Sequence, residues 1–185
     1  MSKIISAPNT VLSEVAKTYI FKKTDNFLPK FLDEMEEALL SATDPKGVGL
    51  AAPQIGKSLS IFITKPTEKS KIQVFINPEI LTTDEKGADQ PKKKTKKQVK
   101  LEGCLSLPDI WGQVRRSDSI TLSYFDAEGI KFTKNYNGFM ATIIQHEVDH
   151  LHGILFPKRV LEQKGKLYHS SKNEKGEDEF DEISI

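Results

Sequence analysis

Residues 145–153 read QHEVDHLHG, and whether this is a buried helix or an exposed polar one decides how the rest of the chain is read. His146 and His150 stand four residues apart, with Glu147 directly after the first. On an α-helix, positions i and i+4 share one face, so both imidazoles can reach one metal ion at about 2.0–2.1 Å from each ring nitrogen. Glu147 is rotated by about 100° from His146. That places it beside such an ion without ligating it, as a general base requires. The flanks are apolar: Phe139, Met140, Ile143 and Ile144 before, Leu151, Ile154 and Leu155 after. A helix apolar nearly all round is buried, and two histidines with a glutamate are costly to bury without partners. A chance HExxH on a charged helix is therefore disfavoured. His152 lies about 200° round the helix from His150 and points away, while His169 falls in a polar tail. A third ligand has to come from elsewhere.

Working outward, FLPKFLDEMEEALLSATD (27–44) carries Leu28, Phe31, Leu32, Met35, Leu39 and Leu40 at the helical period, with Asp25 or Asn26 as its cap. LSIFIT (59–64) and IQVFINPEIL (72–81) read as strands, the second interrupted by Pro78. ITLSYFD and IKFTKNYN, joined through AEG, read as a hairpin, and GFMATIIQHEVDHLHGILF is the second long helix. Strands between two helices, without βαβ alternation, predict an α+β fold. The expected architecture is one compact domain with mixed or antiparallel sheets around a central metal-binding HExxH helix. Residues 1–160 form its catalytic part, and 161–185 a polar hairpin or tail of the same domain.

Two further stretches have unusual composition. In EGCLSLP (102–108), Gly103 lets the backbone pass close to another element and Cys104 offers a thiolate. Taken alone, Cys104 reads better as a buried, inert thiol. In GVGLAAPQIG (47–56), Gly47 and Gly49 permit close approach or positive φ, and the Gln54 amide is able to orient a substrate. Alone, it reads as a connecting loop.

The 185 residues suit one domain, and the formal net charge of +1 gives no global reason to expect nucleic-acid or membrane partners. A single cysteine excludes an intramolecular disulfide and suits a reducing compartment. The N-terminus lacks the pattern of a secretory leader, and no run approaches the roughly 18 apolar residues of a membrane span. A soluble cytoplasmic protein, with no membrane association and no specific DNA binding, is the expectation.

In order and spacing, GVGLAAPQ, EGCLS and QHEVDH together resemble the three motifs of the peptide deformylases, over a region from about Ile4 to Val160 that includes INPEI. Those enzymes remove the N-formyl group from the initiator methionine of new polypeptides. The resemblance implies hydrolysis of formylmethionyl nascent peptides with release of formate. It implies one divalent metal per chain, Fe2+ in the first instance with Zn2+, Ni2+ or Co2+ able to replace it, held by Cys104, His146 and His150 with a water. Glu147 would be the general acid/base, with Leu105 N–H and the Gln54 amide on the formyl oxygen. Val48, Gly49, Glu102, Gly103, Phe139 and Ile143 would line the substrate site, those near Val48 and Gly103 pairing with extended peptide.

The chain also departs from the family pattern. Six of the nine residues from Lys92 to Lys100 are lysine. This run reads as a solvated loop, with transient contact to ribosomal RNA as its functional alternative. The tail from Gly165 is Gly-interrupted and acidic where many bacterial members carry a long helix. Trp111 is an unexpected aromatic, read as a cover for the core. A zinc endopeptidase would need a ligand downstream of the helix. A cysteine hydrolase would leave one histidine and Glu147 idle, and a structural metal site would want a fourth protein ligand.

Overall fold

The computed structural model describes residues 3–22, 24–43, 45–83 and 101–184. The lysine-rich run 92–100 lies outside the described residues. The leading helix, α1 (Phe27–Ser41), buries Leu28, Phe31, Met35, Ala38 and Leu39. It stops before the expected Asp44. Asn26 occupies the cap position without a side-chain bond, while Asp25 Oδ1 accepts from Phe27 N and Leu28 N at 3.1 and 3.2 Å.

Among the described residues two antiparallel sheets form. The first has the order β1 (Gly49–Ala51), β2 (Ile61–Thr64), β3 (Gln73–Thr83), β6 (Ser119–Phe125), β7 (Lys131–Asn137). The second has β4 (Glu102–Cys104), β5 (Leu107–Gly112), β8 (Leu167–Lys172), β9 (Asp178–Glu182). The first sheet is buried on both sides where β2 crosses it, because successive side chains of a strand point to opposite faces. Ile61 and Ile63 meet α1 through Met35 and Leu39. Phe62, stacked on Phe75 at 4.5 Å between centroids, meets α2 (Gly138–Leu151) through Ala141, Ile144 and Val148. A third cluster of Cys104, Phe156, Val160 and Leu167 joins the second sheet to α3 (Phe156–Glu162). The central HExxH helix is thus gripped by the sheets, and the α+β expectation holds.

Two elements depart from the sequence reading. The glycine-rich stretch expected to be a loop contains β1 and then a 3₁₀ turn over Ala52–Ile55. β5 forms although it contains Pro108, because pairing with β8 starts only at Ile110. The C-terminal segment, expected as a polar hairpin or tail, folds as the hairpin β8–β9, whose β8 pairs with β5. No described helix is long and apolar enough to cross a membrane.

Pro78 interrupts β3 as expected, and the register shifts between Ile76 and Glu79. Such a bulge removes the missing N–H from the ladder. Asn77 takes φ 49° there. Its side chain accepts from Tyr19 N and donates to Tyr19 O, both at 2.8 Å, which pins the N-terminal segment to the sheet. Replacing Asn77 with alanine removes both bonds and leaves a Cβ residue at positive φ. A loss of about 2–3 kcal/mol is expected, read as a lower urea midpoint with unchanged slope.

Candidate active site

The first helix of the site is α2, and its buried face carries more than apolar residues. Glu147 is 3% exposed and His150 1%. Cys104, at the end of β4, is 4% exposed. Its Sγ lies 3.1 Å from His150 Nε2, and the ligand atoms of Cys104, His146 and His150 all lie within 4.8 Å of one another. The two imidazoles stand one helical turn apart, ring centroids 4.9 Å apart and inclined at 70°. His152 is exposed and His169 sits on exposed β8; among the described residues neither joins the cluster.

Burial would push the Cys104 thiol up, but the charge of His150 and hydrogen bonds from both histidines outweigh it and bring its pKa down to about 5. Thiolate character at a buried position is what a metal ligand needs. Glu147 is the reverse case. Desolvation dominates and pushes its carboxyl up to about 7. Among the described residues Glu147 Oε2 and His150 Nδ1 are buried with no hydrogen-bond partner. Native interiors rarely leave such atoms unsatisfied, and a cation with an ordered water answers both the three converging donors and the orphan carboxylate oxygen. The residues fit a divalent metal.

The other sides of the site come from the two stretches that looked ordinary alone. Gln54, 1% exposed, accepts from Ala51 N at 2.8 Å through Oε1. Its Nε2 therefore faces Cys104 Sγ at 3.6 Å and Ser106 Oγ at 3.2 Å. The N-terminal strap holds both walls, with Ile5 N on Gln54 O at 2.8 Å and Ala7 N on Ser106 O at 2.9 Å. Leu105, half-buried, follows Cys104 at the same turn. Gly49 leaves no room for a side chain: a Cβ there would overlap Glu147 Oε1 and lie 3.0 Å from Ile143 Cγ2. Val48 is half-buried with its carbonyl accepting Lys65 N at 2.8 Å. Ile143 is buried, and Phe139, one turn earlier, is 53% exposed.

The Glu102 carboxylate holds His146 Nδ1 at 2.7 Å and takes two bonds from Arg116, 3.1 and 2.7 Å. Holding Nδ1 turns the other ring nitrogen toward the cluster and sets the tautomer. Arg116 in turn bonds Asp149 at 2.6 Å, and Asp149 is held by Arg159 at 2.7 Å. Sequence reasoning passed over Arg116, Asp149 and Arg159. Asp149, inside the HExxH run, was the available hint, since an acid on a buried helix demands a cationic partner. Among the described residues Trp111 joins no core cluster. It is half-buried with its ring on Gly103.

Two histidines and a thiolate converging beside a sheltered carboxylate form the kind of site used by metal-dependent hydrolases. The description Polypeptide deformylase belongs to the family model that matches residues 1–166. Peptide deformylase 1 of Bacillus cereus is 39% identical over 158 residues, spanning 85% of this chain and 91% of its own. The peptide deformylase of Brucella suis is 34% identical over 164 residues, 87% and 85%. The actinonin-bound class I type b enzyme of Acinetobacter baumannii superposes with TM-score 0.72 at 31% identity, covering 85% of this chain and 97% of its own. The Thermotoga maritima peptide deformylase gives 0.70 at 34%, covering 86% and 97%. The chain belongs to the polypeptide deformylase family and is a hydrolase.

Arg116, Glu102 and Asp149 have side chains 8%, 12% and 9% exposed. Arg116→Met would leave two buried carboxylates short of their shared cation. A loss of about 3–5 kcal/mol is expected in denaturant unfolding of the metal-free protein.

Proposed function

We propose that this chain hydrolyses the N-formyl group of formylmethionyl nascent peptides in the cytoplasm, releasing formate and a free α-amine. The observation that carries the reading is the Cys104–His146–His150 cluster, its donors within 4.8 Å of one another, beside the buried, unpartnered Glu147 Oε2. These three residues would hold one divalent cation, with Fe2+ as the first candidate on the strength of the family resemblance and Zn2+, Ni2+ or Co2+ able to replace it on the same ligands. When bound, that cation supplies Lewis acidity, lowering the pKa of water toward neutrality and polarising a carbonyl.

The chain's own groups do the remainder. Glu147 takes the proton of the attacking water and passes it to the departing amine. Its carboxyl, pushed up by burial, is suited to both steps. Negative charge develops on the formyl oxygen, where the Gln54 Nε2 and Leu105 N–H act as donors. Gln54 is pre-set for this because Ala51 N fixes its carbonyl end. β1 and β4 each end their sheets, so an extended peptide has strand edges to pair with beside the cluster. Val48, Ile143 and Phe139 are the apolar side chains available to the methionine.

Protein with its metal content determined and kept anaerobic is expected to release formate from formyl-Met-Ala-Ser, and a chelator should abolish it. Gln54→Ala should lose about 10²–10³ in rate, and Glu147→Ala more, with metal still bound. Full activity in Glu147→Ala would refute the mechanism. Gly49→Ala displaces the Glu147 carboxylate, so a fall of about 10² in kcat is expected, with circular dichroism unchanged.

A further inference from the structure

The C-terminal hairpin is the part of the chain that the site has not yet explained. The family match ends at residue 166, and β8 begins at Leu167. Yet the hairpin reaches the strand that carries the site. In the second sheet, Tyr168 pairs with Trp111 and Trp111 pairs with Gly103. Directly paired residues project on the same face. Trp111 therefore stands in one cross-strand row with Gly103, the residue between Glu102 and the ligand Cys104.

Its indole is held from the hairpin side. Trp111 Nε1 donates to Ser170 Oγ at 3.0 Å, and Phe180 meets the ring edge-on at 5.9 Å and 90°. On the other side the ring fills the place that a Gly103 side chain would take. A Cβ on Gly103 would lie 2.8, 2.9 and 3.1 Å from Trp111 Cζ3, Cε3 and Cη2. β4 is the terminal strand, and among the described residues it pairs only with β5.

We propose that Trp111, clamped by the β8–β9 hairpin, is a specificity-determining floor for the substrate peptide. The inference rests on the deformylase reading. A peptide added to the open edge of β4 has one residue opposite Gly103, with its side chain on the face that holds Trp111. Gly103 interposes no side chain, so that side chain packs directly on the indole that fills this row position. The residue concerned lies beyond the methionine, and apolar side chains are favoured there. The hairpin residues act through Trp111 as positioning residues, since a free indole would lose its fixed orientation.

The test uses the full, metal-loaded chain and formyl-Met-Xaa-Yaa peptides with Gly, Asp, Leu or Phe at either variable position. Wild type is expected to favour Leu or Phe over Gly by about tenfold in kcat/KM at one position, chiefly through KM. Trp111→Ala should bring that ratio close to one, and Trp111→Phe should keep most of it. Phe180→Ala removes the edge contact from a residue 42% exposed, so it spares the fold and should lower the ratio partway. Indifference of the wild type at both positions would overturn the proposal. An unchanged ratio in Trp111→Ala would do the same, and if that variant does not fold, an unchanged ratio in Phe180→Ala decides against it. No formate from any peptide would remove the deformylase reading itself, and this inference with it.

Discussion

A thiol, two imidazoles and a carboxylate share the interior between two sheets, and much of the architecture follows from keeping them there. Burying such groups unpaired costs several kcal/mol each, so each needs a partner or a ligand. The partners run outward in sequence: Glu102 on His146, Arg116 on Glu102 and Asp149, Arg159 on Asp149. That chain of charges ties β4, the segment after β5, α2 and α3 into one unit. Among the described residues three buried side-chain atoms have no hydrogen-bond partner, Thr64 Oγ1, Glu147 Oε2 and His150 Nδ1, and the last two lie on α2 beside the cluster.

The same constraint explains where backbone replaces side chain. Helix α2 approaches β1 so closely that Gly49 lies against the Glu147 carboxylate, and the indole of Trp111 lies where Gly103 has no side chain. Among the described residues both glycines sit on strands that end their sheets, so the Cys104–His146–His150 cluster lies beside the margins of both. The N-terminal strap, bonded to Gln54 O and Ser106 O, fixes the separation of the two walls.

Legibility in the sequence varied with the range of the interaction involved. The helices α1 and α2, the strands β2 and β3 and the hairpin β6–β7 follow local periodicity and were readable. The strand β1 was hidden because glycine and proline weigh against strands in isolation, while its burial on every side comes from α1 and α2. The C-terminal segment was left open between a hairpin and a tail because its residues are charged and exposed, so the place of β8–β9 depends on pairing with β5. The bonds of Glu102 to Arg116 and His146 were hidden because nothing near it in sequence announces either partner.

By itself the sequence determined the chemistry on offer: an HExxH turn with its two imidazoles on one face, one thiol, one amide in a glycine-rich stretch, and a family resemblance spanning most of the chain. These depend on residue identity and helical spacing, which are local. Only the tertiary structure decided that Cys104 stands 3.1 Å from His150, that Glu102 orients His146, and that a tail beyond the family match clamps Trp111 over Gly103. Those contacts join residues many positions apart, and their geometry is set by how sheets and helices pack rather than by any pattern along the chain.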